Sequence, residues 1–148
     1  MNAAVPEGFT PLPGPFGPYF NALGPIYQRP GAGGTLCMAL RLTEAHLNIQ
    51  GFAHGGMLLT LADGALGINL GQQRQPPQRH VTVSMSADFL SSVKVGDWLE
   101  AHVSVRKLGR RLSFGECLLQ VGERVVLRAS GVFSVVERSA AEPVRNDG

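Results

Sequence analysis

The most constraining stretch of this chain runs from Asn48 to Gly71 and reads NIQGFAHGGMLLTLADGALGINLG. It opens as a polar turn in which Asn48, Gly51, His54, Gly55 and Gly56 crowd together, then becomes a long apolar run. Between Met57 and Leu70 the only polar side chains are Thr60, Asp63 and Asn69. A segment of this length, free of proline and rich in Leu and Ala, predicts a helix. Because it is apolar nearly all round, it reads as a buried central helix rather than an amphipathic surface one. At about 16 residues it spans roughly 24 Å, short of the about 20 apolar residues that a membrane crossing needs.

Asp63 is the anomaly in that helix. A lone carboxylate two turns inside an apolar helix is costly to bury unless something pairs with it. It is either a satisfied polar residue at a helix–helix or subunit contact, or a functional group whose proton affinity is tuned by burial.

A chain of 148 residues suits one compact domain with a core of its own. Its 44% hydrophobic and 16% charged content is that of an ordinary soluble globular protein. A net charge of +2 with no dense Lys/Arg block gives no reason to expect nucleic acid as a partner. Cys37 and Cys117 are the only cysteines, which leaves neither a disulfide framework nor a CxxC metal pair. The start, MNAAVPEGFTPLPG, lacks a basic region followed by an apolar run, so no signal peptide is expected and a reduced, cytoplasmic protein is.

Seven of the ten prolines fall between Pro6 and Pro30. Proline cannot donate to a ladder, so residues 1–34 read as an extended arm or loop, with a short helix near Pro18 to Leu23. Phe16, Tyr19, Phe20, Leu23, Ile26 and Tyr27 make the arm too apolar for a linker, so it is expected to lie across the domain, over apolar surface or a site's mouth. Thr35 to Leu42 reads as a strand, and the central helix follows. After a polar link containing Pro76 and Pro77, His80 to Leu90 alternates cleanly. Val81, Val83, Met85, Ala87 and Phe89 share one face, with Thr82, Ser84, Ser86 and Asp88 on the other, which predicts a half-buried strand. Trp98 to Lys107, Leu112 to Val121 and Arg124 to Val136 are three further strands joined by tight turns at LGRR and Gly122-Glu123. Residues 35–137 therefore form an α+β domain, an antiparallel sheet with one long helix against it, and residues 138–148 are a polar tail.

The string Asn48-x-x-Gly51-x-x-His54-Gly55-Gly56, with Asp63 following in Leu61-Ala62-Asp63, resembles the signature of the hotdog-fold thioesterases. It is closest to the PaaI-like branch of acyl-CoA thioesterases, in spacing as well as in residues: Asn six before His, Asp nine after it. The downstream segment VTVSMSADFLSSVKVGDWLEAHVSVRKLGRRLSFGECLL resembles that branch too. The resemblance covers roughly Thr35 to Val136. It implies a central helix wrapped by an antiparallel sheet, and subunits paired into dimers or dimers of dimers through a continuous sheet.

Thioester hydrolysis needs an activated water or a nucleophile, and donors for the developing oxyanion. Gly55 opens the helix, where amide N–H groups lack intrahelical partners and the dipole favours negative charge. Its amide is the expected oxyanion donor, and Asp63 the general base or the nucleophile. Asp63 lies eight residues beyond Gly55, about 12 Å along the same helix. One carbonyl cannot touch both when a catalytic contact is about 3 Å, so the pair must come from different chains. In the PaaI-like pattern Asn48 helps orient the water or the carbonyl; its alternative role is that of an Asn stabilising the turn before the helix. His54 either holds the loop or contacts the thioester. Thr82 falls where this branch often places a Ser or Thr beside the Asp, and is otherwise an ordinary strand hydroxyl.

Coenzyme A enters as part of the substrate and no separate cofactor is expected. Lys107, Arg110 and Arg111 form the tightest basic group and suit its phosphates, unless they are simply a solvated hairpin tip. Gly56 joins them as a candidate coenzyme A contact, and Arg74 and Arg79 are weaker ones. No second His stands at ligand spacing from His54, so no metal is expected there. The expected activity is hydrolysis of an acyl-CoA by a homo-oligomer, without membrane association. The competing readings are a hotdog hydratase or dehydratase, and a silent acyl-CoA-binding regulatory module.

Overall fold

The computed structural model describes residues 4–136. The expected tail at 138–148 lies outside the described residues. Among the described residues seven antiparallel strands form one sheet: β1 (Thr10–Pro11), β2 (Tyr27–Pro30), β3 (Leu36–Arg41), β4 (His80–Phe89), β5 (Trp98–Leu108), β6 (Leu112–Val121) and β7 (Arg124–Val135). Their spatial order is β1-β2-β3-β5-β6-β7-β4. A short helix α1 (Pro18–Asn21) sits in the arm, and the 18-residue helix α2 (Gly55–Gln72) packs across β3 to β7.

The helix begins where the sequence leaves extended backbone. His54 is its N-cap, and His54 Nδ1 accepts the Gly56 N–H at 2.9 Å, satisfying one of the orphan donors of the first turn. Leu58, Leu61, Ala62, Ala65, Leu66 and Leu70 then face the sheet and are buried. Against them stand Leu99, Ala101 and Val103 of β5, Cys117 and Leu119 of β6, and Leu127, Ala129 and Phe133 of β7. Asn69, polar but buried, ties helix to sheet. Its Oδ1 accepts the Leu36 N–H at 2.8 Å, and its Nδ2 donates to the carbonyls of Leu36 and Ala65. No helix among the described residues is long and apolar enough to cross a membrane.

Two expectations are corrected. The arm does supply ladder strands: β1 and β2 extend the sheet beyond β3 despite their prolines, which stand at the ends Pro11 and Pro30. Edge positions and strand ends are where proline is tolerated. The second correction concerns β4, which is not half-buried as its alternation implies. It closes the opposite edge of the sheet, pairs only with β7 among the described residues, and leaves Val81, Val83 and Phe89 more than half exposed. α2 is correspondingly open on one side, and Asp63, Gly64 and Gly67 are only partly covered.

β4 also contains a bulge. Thr82 pairs with Phe133 and Ser84 with Val132, so Val83 is an extra residue and the alternation changes sides there. His80 and Thr82 before the bulge face α2, and so do Met85 and Ala87 after it, which pack on the core.

Candidate active site

The bulge brings the first two predicted residues together. Thr82 Oγ1 donates a hydrogen bond of 2.5 Å to Asp63 Oδ1. Strict alternation would have turned the Thr82 hydroxyl away from the helix. Asp63 is half-buried rather than fully enclosed, because the helix face that carries it is the open one.

Asp63 stands on the boundary between two clefts. The first, of about 600 Å³, follows α2 toward its C-terminus between Thr82, His80 and Phe133 on one side and Phe16 and Phe20 of the arm on the other. Gly64, Gly67 and Gly71 line it on the helix. The second, of about 410 Å³, follows α2 toward its N-terminus past Thr60, Met85, Ala87 and Phe89. The helical glycines are dictated by what lies on them. Phe20 rests directly on Gly64, and the Gln78 carbonyl on Gly71, so neither site has room for a Cβ. Phe16 and Phe20 meet edge to face with ring centres 5.3 Å apart, and the arm thereby walls the cleft beside Asp63.

The remaining predicted residues lie at the two ends of α2. Asn48, His54, Gly55 and Gly56 cluster at the N-terminal end. Asn48 Oδ1 accepts the N–H groups of Gln50 and Phe52 at 2.9 and 3.2 Å, so its carbonyl oxygen builds the turn. The Gly56 amide is taken by His54, whereas the Gly55 amide has no partner among the described residues. The Phe89 ring covers Gly55, about 3.1 Å from where a Cβ would stand. Within one chain, then, Asp63 and Thr82 are together, and the Gly55 group is remote from them.

Lys107, Arg110 and Arg111 are exposed around the β5–β6 hairpin, near the C-terminal end of α2. Arg74 is what holds that hairpin there, and is not a free cation. Its guanidinium donates to the Gly109 carbonyl at 2.7 Å and to Ser113 Oγ at 2.7 Å. His80 Nε2 lies 2.8 Å from Ser113 Oγ and 3.2 Å from Arg74 Nε, which makes it the acceptor of this triad. Burial, and then the Arg74 charge, hold the His80 proton affinity below its ordinary value. The reading from sequence missed this network, because its members are 6 to 39 residues apart and none forms a motif.

The model of the thioesterase superfamily matches residues 50–129, more than half of the chain. A Pseudomonas aeruginosa protein named provisionally as an esterase is 50% identical over 131 residues, which cover 87% of this chain and 96% of that one. A mutant of the phenylacetic acid degradation protein PaaI from Thermus thermophilus superposes with a TM-score of 0.71 at 25% identity, over 81% of this chain and 100% of that one. A hypothetical thioesterase from Streptococcus pneumoniae, solved with coenzyme A, gives a TM-score of 0.68 at 27% identity, over 80% and 92% of the two chains. The antiparallel sheet around α2, the Asp63 cleft and these likenesses agree: the chain belongs to the thioesterase superfamily, with the hotdog fold of its PaaI-like branch, and is a thioester hydrolase.

Proposed function

We propose that this protein hydrolyses acyl-CoA thioesters at composite sites built by two subunits. The observation that carries the reading is the Asp63 carboxylate, held by Thr82 at the rim of a cleft of about 600 Å³ that aromatic and glycine residues line. β4 supports the composite arrangement. Among the described residues it is an edge strand with one side of its backbone unpaired and apolar side chains in solvent, a surface that a second copy covers by continuing the sheet. β4 runs from His80, beside the C-terminal half of α2, to Phe89, beside Gly55. Antiparallel pairing of two β4 edges about their middle therefore carries the partner's Gly55 end toward the Asp63 cleft. That is the placement which the separation of about 12 Å within one chain requires.

In this arrangement the acyl group occupies the first cleft, and the thioester carbonyl oxygen points at the Gly55 amide of the other subunit. Asp63 promotes attack on the carbonyl carbon, as base for a water or as nucleophile itself. Electrons of the C=O bond move onto oxygen, where the amide and the helix dipole stabilise them. Their return breaks the C–S bond, and the departing sulfur takes the proton that Asp63 drew from the water, or a proton from solvent where Asp63 itself attacked. Coenzyme A leaves as its thiol, and the acyl group as the acid or as an anhydride of Asp63 that water then hydrolyses. Thr82 fixes the carboxylate. His54 acts by holding the first turn, which orients the Gly55 amide. Lys107, Arg110 and Arg111 meet the phosphates of coenzyme A.

Thiol release from aryl-, short-, medium- and long-chain acyl-CoAs tests this, comparing wild type with Asp63→Ala. Turnover that collapses in the variant supports the reading, and the panel identifies the acyl class. Binding of every acyl-CoA without turnover would move the assignment to an acyl-CoA-binding module.

A further inference from the structure

The outer face of the sheet, turned away from α2, carries a second set of reactive side chains that thioester hydrolysis does not use. Glu100 and His102 lie two residues apart on β5 and so share a face. Met38 of β3 pairs with Ala101 of β5, which sets Cys37 opposite His102. Met38, Leu40, Leu99 and Ala101 are buried in the helix-side core, so Cys37, Glu100 and His102 belong to the other face. There Cys37 Sγ lies 4.0 Å from Glu100 Oε1 and 4.0 Å from His102 Nε2, and the latter two atoms are 3.1 Å apart.

These separations suit a common ion. Zinc bonds of about 2.3 Å to sulfur and about 2.0–2.2 Å to nitrogen and oxygen put tetrahedral ligand atoms roughly 3.3–3.6 Å from one another. Each observed separation is within about half an ångström of that span, which small side-chain rotations close. We propose that Cys37, Glu100 and His102 bind a divalent transition-metal ion of the zinc class, with a fourth position open to water or another donor.

The donor set selects the ion. A thiolate with an imidazole and one carboxylate suits zinc, and not magnesium or calcium, which take all-oxygen shells. Cys37 packs with Phe9 and Ala39 beneath Tyr27 and Trp98, an apolar wall that keeps water from the sulfur side. The Glu100 and His102 side chains keep 22% and 35% exposure, so an ion can enter from the other side. Arg29 Nη2, 3.4 Å from Glu100 Oε1, is an outer partner of the carboxylate. A carboxylate offers about four lone-pair directions, so this contact does not exhaust it. A thiol binds such an ion as the thiolate, so its proton is released to solvent on binding and affinity rises with pH.

Cobalt(II) and zinc titrations of the metal-stripped full chain test this, since cobalt bound to a thiolate absorbs in the near ultraviolet. The expected result is one equivalent of cobalt with that absorption, displaced by zinc and tighter at higher pH. Cys37→Ser should abolish the absorption, and His102→Gln should weaken binding at least tenfold. Asp63→Ala, on the opposite face, should change neither. His102 is half-exposed, so its variant keeps the test valid should Cys37→Ser fail to fold. No thiolate–cobalt absorption at one equivalent would overturn the proposal, as would absorption that survives in both Cys37→Ser and His102→Gln.

Discussion

β4 and β6 are both ten-residue strands of alternating character, yet the fold treats them oppositely. In β6 every second residue from Ser113 to Leu119 is buried against α2, and neighbours flank the strand on both sides. In β4 most residues are exposed, one edge has no partner strand among the described residues, and a bulge interrupts the alternation. The difference separates two jobs. β6 stabilises the domain through buried apolar contact, while β4 presents Thr82 to Asp63 and, in the proposed dimer, carries the edge that meets the second subunit.

Changes at the two strands should therefore fail in different ways. The largest effect is expected at the carboxylate that β4 positions: Asp63→Ala should lower kcat by about 10²- to 10⁴-fold, the usual reach of general acid–base catalysis, with an unchanged denaturation midpoint. In β6, Leu119→Ala empties a fully buried position and should cost about 2–5 kcal/mol of stability, read by denaturant unfolding. Thr82→Val keeps the shape but removes the donor to Asp63. A hydrogen bond to a charged group is worth about 1.5–3 kcal/mol, so a kcat loss of roughly ten- to a hundredfold is expected, without a comparable loss of stability. Val83→Lys adds charge to the exposed β4 edge and should separate subunits in light scattering while leaving the monomer folded. Folded monomers that keep full activity would break the comparison.

The smallest effect concerns His80. Its folded proton affinity lies below the ordinary value of 6.5, so the unfolded chain takes up the proton at the higher pH. The stabilisation is present above pH 6.5 and is lost as pH falls from there toward the folded value. Denaturant midpoints across that window should fall more steeply for wild type than for His80→Gln.

Much of this was legible in the sequence, and the reasons are local. The apolar run from Met57 to Leu70 has one sensible structure, and the turn signals at LGRR and Gly122-Glu123 delimit the hairpins. Asp63 stood out because nothing near it in the chain could pair with it. The hidden features depend on register and long-range packing. The alternation from Val81 to Phe89 is unbroken in sequence, so the bulge at Val83 leaves no trace, though it alone turns Thr82 toward the helix. Whether β4 is covered depends on its rank in the sheet, which alternation does not encode. The contact of Arg74 with Ser113, and that of Cys37 with His102, join residues on separate strands or links with no shared spacing pattern. The arm's strands were hidden by prolines that turn out to stand at strand ends.

The central claim, a site assembled from two chains, can be tested by mixing two inactive variants. Asp63→Ala removes the carboxylate. Gly55→Pro removes the amide donor at the first helical position, where the helix backbone admits proline once the Phe89 ring shifts by a few tenths of an ångström. In a two-fold dimer each heterodimer then holds one site with both groups intact, so a random mixture should recover about one quarter of wild-type activity. Recovery to that level after subunit exchange is the predicted result. Demonstrated heterodimers with no activity above the separate variants would contradict the account.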